Sequence, residues 1–160
     1  TIVGADTVVE INGEVLGKPV DVDDAWRMLR GLRDRAHRVI TGVALIDAAT
    51  GDERTAYRAS RVLMRDYSDD EIESYIASGD PFDKAGAYAV QHDGFSPAAE
   101  VRGCYLNVVG LPVCTLLKEA ERFGLRIKPA PHLPWAELSH CPECAKRSGA
   151  PVPNKRKRGE

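Results

Sequence analysis

The spacing of apolar and polar residues predicts a chain in which strands and helices alternate. Residues 2–11 carry Val and Ile at positions that favour a strand. The pair Asn12-Gly13 tolerates the positive φ angles of a tight turn, so residues 14–16 are expected to return beside that strand as a hairpin. Apolar side chains at helical spacing over residues 22–33 then predict the first helix.

Two further strands and a second helix are predicted next. Residues 37–47 and 54–64 are rich in small and β-branched residues, and the Gly-containing turn between them indicates an antiparallel pair. Ser68 and Glu71 have the spacing of a capping box, in which each side chain bonds a free backbone N–H at a helix start. A helix is therefore expected to follow Ser68, as Asp21 is expected to cap the first one.

The third part of the pattern predicts strands at 86–91 and 98–103, a helix over 111–123 and a short last strand at 125–128. Because strands and helices mix along the chain, the predicted fold class is α/β, with a mixed sheet and flanking helices.

The domain organisation is predicted to be one domain followed by a tail. The domain covers residues 1–128. Residues 129–160 are rich in Pro, lose apolar periodicity and end in the basic run 155–158, so this segment is expected to be poorly ordered.

Composition limits the classes of function. The 22 Lys and Arg residues against 24 Asp and Glu residues give a net charge of −2, which argues against nucleic acid as the main partner. No apolar run approaches the roughly 18 residues that span a membrane. The four cysteines are too few for a disulfide scaffold, so we expect a cytoplasmic protein without a membrane partner.

The first candidate for chemistry is Asp6. A carboxylate within an apolar strand costs free energy unless it is paired, hydrogen-bonded or metal-bound. Asp6 therefore either caps a strand end or pairs with a buried Arg, or it serves as a metal ligand or general base, with the hydroxyl of Thr7 beside it. The hairpin would bring the loop Gly17-Lys18-Pro19 back towards Asp6, unless Lys18 is simply a solvated turn residue.

A second group of candidates surrounds the predicted strand at 86–91. Asp83 and Lys84 form an acid–base pair before it, which is either an exposed loop ion pair or part of a site. Gln91 ends the strand, and its amide can donate and accept, which suits recognition of a base edge. The helix start after Asn107 offers free N–H groups that attract anions.

The five segments that carry these residues occur in one order. They are GADTVV, GEVLGKP, HRVITGVAL, SDDEIESYIASGDPFDKAGAYAVQ and GCYLNVVGLPV. Together they closely resemble the Maf family of nucleoside triphosphate pyrophosphatases, over roughly residues 2–124. The resemblance implies a Maf/inosine triphosphatase-like fold and a divalent metal such as Mg or Mn. It also implies cleavage of the α–β anhydride to a monophosphate and pyrophosphate, and a homodimer.

The resemblance also implies roles for single residues. Asp6 matches the family's catalytic aspartate, which takes the proton of the attacking water or holds the metal. Lys18 and Lys84 match lysines at the phosphates. Thr7 and Gln91 match the branch that acts on dTTP and UTP.

Two departures from the family pattern stand beside the matches. Gln91 is followed by His92-Asp93-Gly94, where the family places Gly directly. Family members also carry a strand, a Ser-x-x-Arg loop and a metal-binding glutamate before the GADT block, at which this sequence begins. The resemblance therefore implies an N-terminally truncated fold with its other metal ligands upstream, and a non-catalytic Maf-like fragment is the alternative.

The tail suggests a different class of function. Cys141 and Cys144 have the spacing of half a zinc site, to which His132 would add a third ligand. The basic run 155–158 would contact nucleic acid or phosphate groups. The competing interpretation of both features is a reduced cysteine pair and a solvated charge run. A binding module with a zinc-binding, basic tail is therefore the second functional hypothesis.

Overall fold

The computed structural model describes residues 1–126 of the 160-residue chain. Its five strands form one sheet in the order β2-β1-β3-β4-β5, in which each neighbouring pair is antiparallel. The strands are β1 (Ile2–Ile11), β2 (Glu14–Leu16), β3 (Ala36–Ile46), β4 (Glu53–Met64) and β5 (Ala98–Arg102). The helices are α1 (Val22–Leu32), α2 (Asp69–Ala77), α3 (Tyr105–Val109) and α4 (Val113–Arg122), with 3₁₀ turns at Asp80–Asp83 and Ala85–Ala87. The predicted α/β class with flanking helices is confirmed. The predicted mixed sheet is wrong for these five strands, because each of them runs antiparallel to its neighbours.

One face of the sheet, here called the packed face, carries the core. In β3 every odd-numbered residue from His37 to Leu45 is buried, which is the alternation of a strand with one covered side. Val9, Val39 and Val62 lie on this face and share a core cluster with α1 and α2. On the opposite face Tyr57 is 71% exposed. The described helices therefore build the core, and the pocket presented below, on a single side.

The local signals at the helix starts are confirmed. The Asp21 carboxylate accepts the backbone N–H of Asp24 at 2.8 Å before α1. At α2 the Ser68 hydroxyl accepts the N–H of Glu71, and the Glu71 carboxylate accepts the N–H of Ser68. Each cap satisfies backbone donors that have no partner inside the helix.

The predicted strand at 86–91 is wrong. Gly86 and Ala87 have φ angles of 71° and 62°, which belong to the left-handed region and end any extended run. A Cβ at Gly86 would lie 2.9 Å from Val9 Cγ2. The segment therefore crosses the packed face as a strap in contact with β1, and its apolar residues face the sheet without joining it.

Three further differences concern the C-terminal part of the domain. Helix α3 was not predicted, because it has only five residues and its apolar run also suits a strand. The third predicted helix begins at Val113, after Pro112. Leu125 and Arg126 are not in a strand.

Several predictions lie outside the described residues. They are the rest of the predicted strand at 125–128, the tail with Cys141, Cys144 and His132, and the basic run 155–158. Among residues 1–126, no helix has both the length and the apolar character needed to cross a membrane.

The strap's close approach to β1 gives the first testable expectation. Gly86→Ala should lower the free energy of unfolding by about 2–4 kcal/mol, because a side chain both resists the positive φ and collides with the stiff Val9. Gly51→Ala is the matched control: its φ is 78° and nothing lies within 4 Å of an added Cβ. It should cost only about 1 kcal/mol, the conformational part. Urea titration measures both, and equal losses would contradict the packing argument.

Candidate active site

A pocket of about 220 Å³ opens on the packed face between β1, the strap and α3. Six residues that the sequence singled out line it: Asp6, Thr7, Lys18, Asp83, Lys84 and Gln91. Val39, Tyr88 and Val108 supply apolar surface to the same pocket. The fold therefore brings residues from four separate segments of the chain to one pocket. Asp6 has the opposite register to Thr7 and Val9 along β1, so it borders the pocket at the open edge of the strand and not from the packed face.

Asp6 lies at an open edge of the sheet. β2 pairs only with Val9–Ile11, so within the described strands the first part of β1 has β3 as its one neighbour. Asp6 is exposed, and its Oδ1 accepts the backbone N–H of Thr7 at 2.9 Å. Within the described residues Asp6 neither caps a strand end nor pairs with a buried Arg, so that alternative is wrong: Asp6 lies in the middle of β1, where β2 no longer pairs with it.

The loop that carries Lys18 is tied to the strap. The backbone N–H of Gly86 donates to the carbonyl of Gly17 at 2.9 Å. This hydrogen bond joins the loop that carries Lys18 to the segment that follows Lys84. Lys18 itself is exposed. Within residues 1–126 it forms no ion pair, so the expected contact with Asp6 is not made, although both residues line the pocket. Its ammonium group is available to an anionic ligand.

Lys84 is held by two carboxylates. Its Nζ donates to Asp83 Oδ1 at 2.6 Å and to the carbonyl oxygen and Oδ1 of Asp80, each at 3.0 Å. Desolvation lowers the pKa of Lys84, but the hydrogen bonds to Asp83 and Asp80 outweigh it and raise the pKa above its ordinary value. The side chain of Asp83 is 78% exposed. A phosphate oxygen can therefore replace Asp83 while Asp80 keeps the ammonium in place.

The strap beyond Lys84 is anchored by a second hydrogen-bonded group that the sequence analysis missed. The Tyr75 hydroxyl donates to Asp80 Oδ2 at 2.6 Å and accepts the backbone N–H of Ala89 at 3.0 Å. One hydroxyl from α2 thus connects the residue that holds Lys84 with the segment that leads to Gln91. Gln91 is exposed at the end of this segment. Nothing local in the sequence indicated this role of Tyr75, because the fold alone brings Ala89 to its hydroxyl.

His37 and Tyr88 form a buried pair beneath the pocket. His37 Nε2 and the Tyr88 hydroxyl are 2.7 Å apart, and both residues are more than nine-tenths buried. Burial lowers the pKa of His37 to about 4, against a smaller opposing effect of a backbone hydrogen bond at Arg35. Burial also raises the pKa of Tyr88. At neutral pH the pair is therefore uncharged and acts as a fixed support of the pocket wall.

Helix α3 is attached to the sheet through the side chain of Asn107. Its Nδ2 donates to the Val39 carbonyl at 2.9 Å and to Ser60 Oγ at 3.0 Å, and its Oδ1 accepts the Thr41 N–H at 3.2 Å. The Thr41 hydroxyl donates to the Asn107 carbonyl at 2.8 Å and lies 2.9 Å from the Thr7 hydroxyl. Sequence analysis noted Asn107 for the helix start alone, because nothing local links it to residues in β3 and β4.

Comparison with known proteins identifies the family. The family model described as "Maf-like protein" matches residues 1–123. The chain belongs to the Maf family. The resemblance that the five sequence segments indicated is thereby confirmed.

The Maf relatives include three proteins named "dTTP/UTP pyrophosphatase". That of Dictyoglomus turgidum is 50% identical over 123 residues, which are 77% of this chain and 64% of the relative. That of Carboxydothermus hydrogenoformans is 46% identical over 123 residues, 77% of this chain and 66% of the relative. That of Dehalococcoides mccartyi strain CBDB1 is 41% identical over 143 residues, 89% of this chain and 63% of the relative. The Maf chain thus spans slightly less than two thirds of the length of these relatives.

The buried histidine gives a prediction about pH. An unfolded chain protonates His37 below its ordinary pKa of 6.5, whereas the folded chain does not until about pH 4. Stability is therefore highest above pH 6.5 and falls as the pH drops towards 4. By pH 5 the loss due to this group should be about 2 kcal/mol in the free energy of unfolding.

His37→Gln should remove that part of the pH dependence between pH 7 and pH 5, as measured by urea unfolding at each pH. Tyr88→Phe is the matched control, because it deletes the same hydrogen bond and keeps the titrating imidazole, so its pH dependence should persist. If His37→Gln lost as much stability between pH 7 and pH 5 as the unmodified chain does, His37 would not be the group responsible for the pH dependence.

Proposed function

We propose that this chain acts as a nucleoside triphosphate pyrophosphatase, which splits the α–β anhydride of dTTP and UTP to the monophosphate and pyrophosphate. The observation that carries the proposal is the convergence of Asp6 and two lysines in a single pocket with Thr7 and Gln91. The shared name of relatives that are 41–50% identical supports the same substrates.

The phosphate end of the substrate is assigned to Asp6, Lys18 and Lys84. Asp6 Oδ1 is held by the N–H of Thr7, and within the described residues its Oδ2 makes no hydrogen bond to protein. That oxygen accepts the proton of the attacking water as the anhydride is cleaved. Lys18 and Lys84 offset the negative charge on the phosphates, which is the main task in phosphoryl transfer.

A divalent cation fits this arrangement as a ligand shared with the substrate. Magnesium is commonly bound by one or two carboxylates together with substrate phosphates. Asp6 offers one exposed carboxylate beside the lysines, whereas residues 1–126 contain no group of three or more His, Cys, Asp or Glu that would hold a metal alone. When bound, Mg²⁺ or Mn²⁺ would neutralise phosphate charge.

The base end is assigned to Thr7 and Gln91, with the apolar surface of Val39, Tyr88 and Val108. The Gln91 amide can donate an N–H to a ring carbonyl oxygen of uracil and thymine. Its exposed position at the pocket mouth leaves it free to turn towards a ligand.

The test is release of pyrophosphate, measured separately from orthophosphate, with Mg²⁺ or Mn²⁺ and a panel of dTTP, UTP, CTP, GTP and 7-methyl-GTP. We expect pyrophosphate from dTTP and UTP. Asp6→Asn should lower the rate by about 10²–10⁴-fold, because the amide cannot accept the proton. Its melting temperature should hardly change, since Asp6 is exposed.

Glu10→Gln is the matched control for this variant. It removes a carboxylate from the same face of the same strand, outside the pocket, and its amide oxygen can still accept the N–H of Gly13. It should retain the rate. Orthophosphate as the product, full activity of Asp6→Asn, or no turnover of any nucleotide would each contradict the proposal.

A further inference from the structure

The hydroxyl groups at the floor of the pocket form a chain with a fixed direction. The Thr41 hydroxyl is 2.8 Å from the backbone carbonyl oxygen of Asn107. A carbonyl can only accept, so Thr41 must donate its single proton there. The Thr7 hydroxyl lies 2.9 Å from the Thr41 hydroxyl, which has no proton left to give. Thr7 is therefore the donor in this pair.

The surroundings hold this direction in place. Thr41 and Asn107 are fully buried, so water cannot offer either of them another partner. The Asn107 amide is fixed as well, because its Nδ2 faces the Val39 carbonyl and its Oδ1 faces the Thr41 N–H. Reversing the chain would leave two buried acceptor oxygens facing each other, and unsatisfied buried polar groups are costly.

The consequence appears at Thr7, which lines the pocket. Its proton is committed to Thr41, so only its lone pairs are available to a ligand. Gly110 leaves the space beside this oxygen open, since an added Cβ there would lie 3.6 Å from Thr7 Oγ1. Any ligand group that bonds this oxygen must be a hydrogen-bond donor.

We propose that Thr7 Oγ1 accepts the imino N3–H of uracil or thymine, and that Thr41 and Asn107 are the positioning residues that make Thr7 an acceptor. The inference rests on the proposed function. The donor must be present in both dTTP and UTP, which excludes the 2′-hydroxyl. Cytosine has an unprotonated N3 at the same ring position and would place an acceptor against an acceptor.

The experiment measures binding of uncleavable α,β-methylene analogues of UTP and CTP by calorimetry, using the full chain with Mg²⁺. The unmodified chain should favour the UTP analogue by about tenfold or more, the cost of an unsatisfied buried polar group. Thr41→Val lets the Thr7 hydroxyl turn its proton to the pocket. The preference should then fall by about tenfold, mainly through tighter binding of the CTP analogue.

Two control variants separate the effect of hydrogen-bond direction at Thr7 from a general disturbance of the buried network. Thr41→Ser keeps the hydroxyl and should keep the preference. Ser60→Ala removes hydrogen bonds from Asn107 and Cys104 in the same buried network but leaves the chain from Thr7 to the Asn107 carbonyl intact. It should weaken the attachment of α3 without changing the ratio of the two affinities.

A second route does not depend on folding of Thr41→Val. Thr7→Val removes the acceptor and should weaken the UTP analogue about tenfold, whereas Thr7→Ser should not. The N3-methyl derivative of the UTP analogue lacks the donor and should bind the unmodified chain as poorly as the CTP analogue does.

An equal loss for both analogues in Thr41→Val or Thr7→Val would overturn the inference, because Thr7 would then contact an atom that both nucleotides share, such as the 3′-hydroxyl. An unchanged ratio in Thr41→Val, or tight binding of the N3-methyl analogue, would also overturn it. Binding that discriminates as expected, in a chain that releases no pyrophosphate from UTP, would contradict the proposed function and leave this inference supported.

Discussion

The amide side chain of Asn107 is the interaction on which the site most depends. It is fully buried and makes three hydrogen bonds to groups from β3 and β4. A short helix of five residues cannot hold its position through its own backbone bonds. The hydrogen-bonded amide therefore fixes the position of α3 against the sheet more specifically than apolar packing alone would. It thereby also fixes the position of Val108 relative to Thr7 in the lining of the pocket.

The opposite wall depends on a steric constraint at Gly86. The strap can approach Val9 only because residue 86 has no side chain, and the same residue donates its N–H to Gly17. Two loops far apart in the sequence are thereby joined, each with a lysine beside the junction. The lysines differ in environment: Lys84 is bound by Asp80 and Asp83, whereas Lys18 is open to solvent. One cation is therefore held by carboxylates, and the other is exposed.

The two walls face an acid in an unusual position. Asp6 needs no buried counter-charge, because it lies at the open edge of β1 and remains exposed. It shares the lining of one pocket with two lysines and the hydroxyl of Thr7. Around Val39 the lining is apolar, and the neutral pair of His37 and Tyr88 adds no charge there.

Local features could be predicted from the sequence, and long-range ones could not. The hairpin at Asn12-Gly13, the caps at Asp21 and Ser68, and the α/β class follow from interactions between residues a few positions apart, and the motif segments alone indicated the Maf family. The strap and α3 were missed, because an apolar run suits a strand, a turn or a short helix equally until it meets the sheet. The residues of the candidate site were named from the sequence, but Tyr75, Thr41 and Ser60 were not. Their partners lie far along the chain, and only the packed fold decides which buried polar group finds a partner and in which direction its proton points.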